Sequence, residues 1–326
     1  MDGMQRLSDW LAPTQEIILR HGYSLSHIGG SSAREILDHV LFGKPLALRD
    51  LDLYLVRRDT VRLRDLRALC DDVHERGLAR IGPLRPKRRA NPALPGDACY
   101  EYLAGYGAHL FTPGQPILSL GVLHHASDLA LNGLFDIDAV FLAVDNDQSL
   151  SAYADRLARD GLSAGLVIDP HDGYGAWRRK APAIVHWVEV ERCFVRSAYR
   201  IVRSLAKVLT LRLPNELRGE YLSRCPASVA VDDVPELHRD FLKVLGDAHW
   251  AEELGMLAQL GALNPLWPPL QAEMEQSTPD GLRRAIPSRP GASSSELSCL
   301  RARALCKDPA ILEAILSVAP LVFGAE

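Results

Sequence analysis

The sequence predicts an α+β fold in which a small mixed sheet with helices is followed by an all-helical C-terminal half. Residues 49–56 alternate between polar and apolar side chains at the start of the run, as a strand does. Short apolar runs separated by turn residues recur over residues 98–145, and from residue 147 the pattern becomes helical. The length of 326 residues is enough for about two domains.

Composition and charge limit the class of protein. Hydrophobic residues make up 47% of the chain, which supports a packed core. The formal net charge of -4 disfavours a strong nucleic-acid binder, although a local basic face is compatible with it. No apolar run is long enough to span a bilayer, and the N-terminus lacks a signal-peptide pattern. The 6 cysteines show no C-x-x-C spacing, so we expect reduced thiols in a globular, cytoplasmic protein.

A glycine pair and a helix start lie close together near the N-terminus. Gly29 and Gly30 follow a short apolar run, and glycine lets the backbone turn sharply and approach a ligand closely. Ser32 and Glu35 fit a capping box, which predicts a helix from Ala33 to about Phe42. The N-terminus of such a helix attracts anions, so this segment is a candidate phosphate-binding site.

Two aspartates follow on the next predicted strand. Residues i and i+2 of a strand share a face, so Asp50 and Asp52 are expected to project together, with Leu51 and Leu53 on the opposite, buried face. Two carboxylates held close repel each other unless a cation lies between them, and Mg²⁺ prefers such oxygen ligands. An ordinary polar strand end or turn would show the same pair, and that interpretation stays open.

The other elements are predicted from periodicity and breakers. An arginine-rich amphipathic helix is expected over residues 60–77, and no regular structure over the proline-rich residues 82–97. The basic run in that loop is either a mobile flap over phosphates or incidental charge. Asp136-Ile137-Asp138 is a second Asp-x-Asp, which we interpret as the polar face of a strand. The remaining expectations are a helix within residues 1–24, strands at Tyr100–Leu103, His109–Phe111, Ile117–Leu123 and Leu134–Val144, and helices at Asp147–Asp160 and Val190–Leu211.

Several motifs follow one another in a fixed order. They are Gly29-Gly30, Arg34-Glu35, Gly43-Lys44-Pro45, Asp50-Leu51-Asp52, the run from Ser127 to Leu134, Asp169-Pro170-His171-Asp172-Gly173, and the arginines Arg200 and Arg203. This ordered set resembles class II poly(A) polymerases and tRNA CCA-adding enzymes, whose head domain belongs to the DNA-polymerase-β-like nucleotidyltransferase superfamily. The resemblance covers roughly the first two-thirds of the chain.

The resemblance implies a metal-dependent nucleotidyltransferase. It implies a head domain over residues 1–146, a helical neck over 147–220, and a helical C-terminal domain of unknown role over 221–326. Asp50 and Asp52 would hold two Mg²⁺ ions, and Glu101 would be the third carboxylate. The substrate would be a nucleoside triphosphate, ATP or CTP, and the partner an RNA 3′ end such as that of tRNA. The nucleotide-binding residues would be Gly29, Gly30, Ser31, Arg34, Asp128, Asn132, Arg200 and Arg203.

Two alternatives remain open at this point. The lack of a net positive charge favours a nucleotidyltransferase that acts on a small-molecule or protein hydroxyl. The uncertain third carboxylate favours a non-catalytic binding module of the same fold. In addition, Ala126 and Ser127 replace the arginines that precede the family's motif aspartate, which removes contacts expected to read the sugar or base.

Overall fold

The structure, a computed structural model, divides the chain into two compact units, residues 1–186 and 187–326. The N-terminal unit contains a mixed sheet with helices, and the described part of the second unit contains helices alone, so the predicted α+β class is confirmed. The predicted neck, residues 147–220, spans both units. The described residues are 3–57, 59–144, 149–162, 165–225, 234–265, 267–286 and 288–323.

Eight strands form one sheet in the described part of the N-terminal unit. They are β1 (Tyr23–Gly29), β2 (Asp50–Arg57), β3 (Arg80–Ile81), β4 (Arg85–Arg88), β5 (Leu103–Phe111), β6 (Ile117–Leu123), β7 (Phe141–Ala143) and β8 (Val167–Ile168). Their order is β3-β5-β6-β2-β1-β7-β8, with β4 also pairing with β5. The β2–β6 pair is parallel and the other pairs are antiparallel.

The helices of this unit cover one face of the sheet. They are α1 (Gly3–Arg20), α2 (Gly30–Phe42), α3 (Leu63–Glu75), α4 (Ala98–Glu101), α5 (Leu150–Asp160) and α6 (Gly173–Arg179). Leu51, Leu53 and Leu55 of β2 are fully buried in a core that includes residues from α1, α2, α3 and α5. A smaller cluster containing Tyr54, Leu123 and Phe141 lies on the other face. Residues of β2 on this second face are therefore not covered by the main helical layer.

The second unit is built from short helices. They are α7 (Trp187–Arg192), α8 (Phe194–Lys207), α9 (Asn215–Arg224), α10 (Val234–Gly246), α11 (Trp250–Gln259), α12 (Pro268–Glu275), α13 (Pro279–Ala285), α14 (Ser294–Leu305), α15 (Pro309–Ser317) and α16 (Ala319–Phe323). The predicted single helix over Val190–Leu211 is wrong, because Cys193 has a non-helical backbone (φ -156°, ψ 88°) that separates α7 from α8. No helix among the described residues has the length and apolar character needed to cross a membrane.

Two predictions near residue 100 are also wrong. Residues 82–97 contain β4, although they were expected to lack regular structure. Pro86 is compatible with β4 because proline lacks the amide hydrogen and is tolerated where only one side of a strand is paired. The strand expected at Tyr100–Leu103 is instead the short helix α4, and β5 begins at Leu103.

The second Asp-x-Asp does not lie on a strand. Asp136–Asp138 is a 3-10 helix, and the strand predicted over Leu134–Val144 is reduced to β7. The Asp136 carboxylate accepts hydrogen bonds from the backbone amides of Ile137 (2.7 Å) and Ala183 (3.1 Å). An aspartate that bonds to nearby backbone groups competes with sheet hydrogen bonding, which explains the tight turn. The predicted helix start at Asp147 lies outside the described residues.

Candidate functional site

Asp50 and Asp52 lie half-buried on the face of β2 that points away from the helical layer. The leucines between and after them, Leu51 and Leu53, are 0% exposed on the opposite face, as the alternation predicts. Residues paired across neighbouring strands point to the same face. Gly29 on β1 pairs with Asp52, so the glycine turn and the aspartates are adjacent.

The start of α2 is fixed to β2 by two serines. The Ser32 hydroxyl donates to the Asp50 carbonyl (3.1 Å) and accepts from the Asp52 amide (3.0 Å). The Ser31 hydroxyl donates to Oδ1 of Asp50 (3.1 Å). The predicted capping box is wrong: α2 begins at Gly30 with Gly29 as its N-cap, and the Ser32 side chain is used to hold the strand. The N-terminus of a 13-residue helix thus stands directly beside the two carboxylates.

Gly30 is needed at this junction for two reasons. Its backbone has φ +63°, a conformation that costs other residues roughly 1–2 kcal/mol. A Cβ atom at Gly30 would lie 2.7 Å from Oδ2 of Asp52, so any side chain there would displace the carboxylate. The close approach of backbone and aspartate therefore depends on glycine.

The side-chain oxygens at this site are the type of ligand that Mg²⁺ prefers. Asp50 and Asp52 supply two half-buried carboxylates on one face, and the Ser31 hydroxyl orients one of them. Mg²⁺ prefers oxygen ligands and is usually bound by one or two carboxylates, with waters and substrate phosphates completing the shell. These residues could hold such an ion without further protein ligands.

Within the part of the chain that the structure describes, no third carboxylate joins the pair as a potential metal ligand. The neighbours of the aspartates on β1 and β6 are Gly29, Ile117 and Ser119. Glu101 is exposed on α4, where its backbone carbonyl accepts a hydrogen bond from Arg88 (2.9 Å). Within the described ranges, no three His, Cys, Asp or Glu residues form a potential metal-binding group, so Glu101 does not join Asp50 and Asp52 in one.

Arg34 is enclosed behind this site. It is 1% exposed, donates to the Ile137 carbonyl, and lies 3.7 Å from the Asp138 carboxylate. Its guanidinium stacks on Trp177 of α6 at 4.8 Å from the ring centroid. Burial lowers the pKa of Arg34, and the charge of Asp138 opposes that shift. These contacts tie α2 to the 3-10 turn and to α6, and they leave the guanidinium inaccessible to a phosphate.

Asp128 and Asn132 are likewise buried, at 4% and 3% exposure. The Asp128 carboxylate accepts from the Tyr102 hydroxyl (2.7 Å) and from the His125 amide (3.0 Å). The Asn132 side-chain carbonyl accepts from Arg89 at 3.3 Å, and its amide nitrogen donates to the Asp128 carbonyl at 3.2 Å. In this structure both residues organise the loop after β6, and their contacts are with protein groups.

The Asp-Pro-x-x-Gly segment also has a structural role. The Asp169 carboxylate accepts from the amides of Gly173 (2.6 Å) and Tyr174 (2.9 Å), which caps the start of α6. In turn, α6 positions Trp177 against Arg34. Arg200 and Arg203 lie half-buried on α8 in the second unit.

One cation at this face of the sheet comes from the basic run that the sequence leaves open as a flap over phosphates or incidental charge. Lys87 on β4 extends to the ring of Tyr54, which is two residues beyond Asp52 on β2. Burial lowers the pKa of Lys87 to about 8, and the positive charge of Arg89 adds to that shift. The signal in the sequence is the pair Gly107 and Gly121, whose meaning appears only once the strands are in register.

Comparison with known proteins identifies the fold. No family model matches the chain, and no curated protein matches it. A solved CCA-adding enzyme with ATP aligns with a TM-score of 0.53 at 13% identity, over 99% of this chain and 68% of the other. A tRNA-processing enzyme complex aligns with a TM-score of 0.52 at 15% identity, over 93% and 73%. A CCA-adding enzyme with CTP aligns with a TM-score of 0.51 at 14% identity, over 98% and 66%.

The chain has a class II CCA-adding/poly(A) polymerase-like fold. The family resemblance predicted from the motifs is thereby confirmed at the level of the fold. At identities of 13–15% the likeness defines the architecture, and the chemistry depends on the residues of this chain.

Proposed function

We propose that this chain is a Mg²⁺-dependent nucleotidyltransferase that transfers a nucleoside monophosphate from a nucleoside triphosphate to the 3′ hydroxyl of an RNA, releasing pyrophosphate. The nucleotide would be ATP or CTP, and the acceptor tRNA or a poly(A)-type end. Solved structures of the same fold are CCA-adding enzymes in complex with ATP and with CTP, which supports this choice of substrate.

One observation carries the proposal. The N-terminus of α2 and the carboxylates of Asp50 and Asp52 meet on one face of the sheet, joined by the Ser31 and Ser32 hydrogen bonds. Helix N-termini attract phosphates, and paired carboxylates attract Mg²⁺. A nucleoside triphosphate with its metal combines these two requirements in a single ligand.

Each residue would have a separate task in the reaction. Gly29, Gly30 and Ser31 would offer backbone amides to the phosphates, and Asp50 and Asp52 would hold the metal. When bound, Mg²⁺ lowers the pKa of an attacking hydroxyl and stabilises charge on a leaving pyrophosphate. The new bond forms between the 3′ oxygen and the α-phosphorus, while the bond from the α-phosphorus to the pyrophosphate oxygen breaks. Ser32 would hold α2 against β2, and Arg34 would hold α2 against the 3-10 turn and α6.

The proposal is tested by incubating the purified chain with Mg²⁺, each labelled nucleoside triphosphate in turn, and total small RNA. Label on RNA together with released pyrophosphate is the expected result, with both lost in Asp50→Ala. Pyrophosphate without labelled RNA would support transfer to a small-molecule or protein hydroxyl. The absence of both turnover and nucleotide binding would contradict the proposal and would favour a non-catalytic module.

Two glycine variants separate backbone strain from disturbance of the site. Gly30 and Gly43 both have positive φ (+63° and +65°), but only a Cβ at Gly30 would meet Asp52. We expect both alanine variants to lose about 1 kcal/mol of unfolding free energy in denaturant titrations. Only Gly30→Ala is expected to lose transferase activity, by roughly tenfold or more, since a 1 Å misplacement can cost 100-fold. Equal activity of the two variants would show that the Gly30–Asp52 approach does not matter for the reaction.

The non-catalytic alternative has one specific observation in its favour. The position beside Asp52 on β6 is Ser119, whose hydroxyl lies 3.0 Å from Nδ1 of His109. The resemblance leads one to expect a third carboxylate on a neighbouring strand, and this position has none. The absence of turnover with every nucleoside triphosphate in the assay above would be the outcome that supports this alternative.

A further inference from the structure

The Lys87 side chain lies along the face of the sheet that carries the aspartates. It starts on the outer strand β4 and passes over Gly107 on β5 and Gly121 on β6, which pair with each other. A Cβ atom would lie 2.9 Å from Cε of Lys87 if added at Gly107, and 2.4 Å from Nζ if added at Gly121. The ammonium ends 4.9 Å from the centroid of the Tyr54 ring on β2.

The two glycines serve to make room for this side chain. Neither Gly107 nor Gly121 has a positive φ, so the backbone conformation alone does not require glycine. Glycine inside a strand costs conformational entropy and often marks a place where another group approaches closely. Here the approaching group is the lysine, because any β-carbon at Gly121 would occupy the position of its ammonium.

The ammonium lies among groups of both signs. It contacts the Tyr54 ring. Burial and the positive charge of Arg89 lower the pKa of Lys87, and the negative charge of Asp52 offsets part of that shift. The neighbouring cation Arg89 donates to the neutral side chain of Asn132 (3.3 Å). A half-buried cation that lies in a glycine-lined track, beside a second cation and close to Asp52, is positioned to contact the anionic part of a ligand bound at the aspartates.

The position of this cation matches a triphosphate. Tyr54 is two residues from Asp52 on the same face, roughly 7 Å along the strand. The N-terminus of α2 lies next to Asp52 on the β1 side, and Gly121 lies next to Tyr54 on the β6 side. A phosphate chain across Asp52 would thus meet the helix N-terminus on one side and Lys87 on the other.

We propose that the Lys87 ammonium binds a phosphate group of the nucleoside triphosphate, a contribution that rests on the proposed function. The lysine acts by charge and hydrogen bonding on the bound nucleotide, with the stem held by Gly107 and Gly121. Because a charged hydrogen bond contributes more than a neutral one, its loss should weaken triphosphate binding by about tenfold or more. Binding of a nucleoside without phosphates should be unaffected.

The test measures nucleotide affinity by isothermal titration calorimetry in the full chain, without RNA. Lys87→Met keeps the aliphatic stem over the glycines and removes the charge. Gly121→Ala keeps the charge and moves the ammonium away. Arg80→Met removes one positive charge from the exposed strand β3 of the same sheet and is the matched control. Melting temperatures verify that each variant is folded.

We expect both Lys87→Met and Gly121→Ala to raise the Kd for ATP or CTP by about tenfold, with Arg80→Met unchanged. The increase should shrink from triphosphate to monophosphate and vanish for the nucleoside. A lower melting temperature with unchanged Kd would overturn the proposal in favour of a purely structural lysine–tyrosine contact. Unchanged nucleotide Kd together with weaker binding in a separate titration with small RNA would overturn it in favour of an RNA backbone contact. If the unaltered chain binds no nucleotide, the proposed function itself fails.

Discussion

Replacing Asp52 with asparagine is expected to lower nucleotidyl transfer by at least about 1,000-fold, a barrier increase of about 4 kcal/mol. The asparagine has the same shape but a neutral side chain, so it would be a poor ligand for Mg²⁺. The fold should survive, because the bond to Ser32 uses the backbone amide of residue 52. The substitution relieves repulsion from Asp50 but also removes attraction to Arg34 and Lys87, so the melting temperature should change little.

Asp59→Asn is the control for this substitution. Asp59 is exposed just beyond the end of β2, so the same chemical change there should leave transfer intact. Pyrophosphate release and RNA labelling are measured for both variants across a range of Mg²⁺ concentrations. Unchanged transfer by Asp52→Asn would remove this residue from the proposed metal site and restore the interpretation of Asp50 and Asp52 as an ordinary polar strand end.

The face shared by Asp50 and Asp52 could be predicted from the sequence because strand alternation is a local property. The face to which each side chain points follows from its position along β2. Leu51 and Leu53 are buried as expected. The glycine pair and the helix after it were predictable for the same reason. The start of α2 was not, because Ser32 bonds to β2, 18 residues away in sequence, in preference to its own helix.

The role of Arg34 could not be predicted, because burial of a helical residue depends on what packs against it. Its partners are Ile137, Asp138 and Trp177, all more than 100 residues further along the chain. The family motif locates the arginine correctly, but only the packing of α6 and the 3-10 turn shows that it faces the protein interior. The surroundings of Asp128 and Asn132 could not be predicted for a similar reason, since two of their partners, Tyr102 and Arg89, come from distant segments that follow α4 and β4.

Lys87 shows the opposite case, in which the sequence leaves a phosphate-binding flap and incidental charge both open and the structure places the residue beside the candidate site. Its sequence neighbourhood contains prolines and arginines, which favours a loop. Its position beside Tyr54 depends on the register of four strands, β4, β5, β6 and β2, and register is set by pairing across the sheet. Ser119 is found in the same way, as the residue that β6 places beside Asp52. The positions of Lys87 and Ser119 relative to the aspartates are therefore known only once the strands are in register.

The second unit contains a buried acid that should make its stability depend on pH. Glu253 on α11 is 0% exposed. Burial, with a smaller contribution from the charge of Asp247, raises the pKa of Glu253 to about 8. In the unfolded chain the pKa of a glutamate is about 4.3, so between these values the folded state carries a proton that the unfolded state has lost. Stability therefore falls by about 1.4 kcal/mol per pH unit as pH rises through this window, and levels off above about 8.

Glu253→Gln is expected to remove this dependence, because glutamine resembles the protonated acid and does not ionise. The variant should match the unaltered chain near pH 4.5 and exceed its unfolding free energy by roughly 4–5 kcal/mol at pH 8. Denaturant titrations of the full chain at several pH values, followed by tryptophan fluorescence, measure the difference. Glu216→Gln on the exposed face of α9 is the charge-matched control and should give a constant offset at all pH values. The contrary result is a difference in unfolding free energy between Glu253→Gln and the unaltered chain that stays constant with pH. In that case Glu253 is ionised in the folded state, and a positive group near α11 must neutralise it.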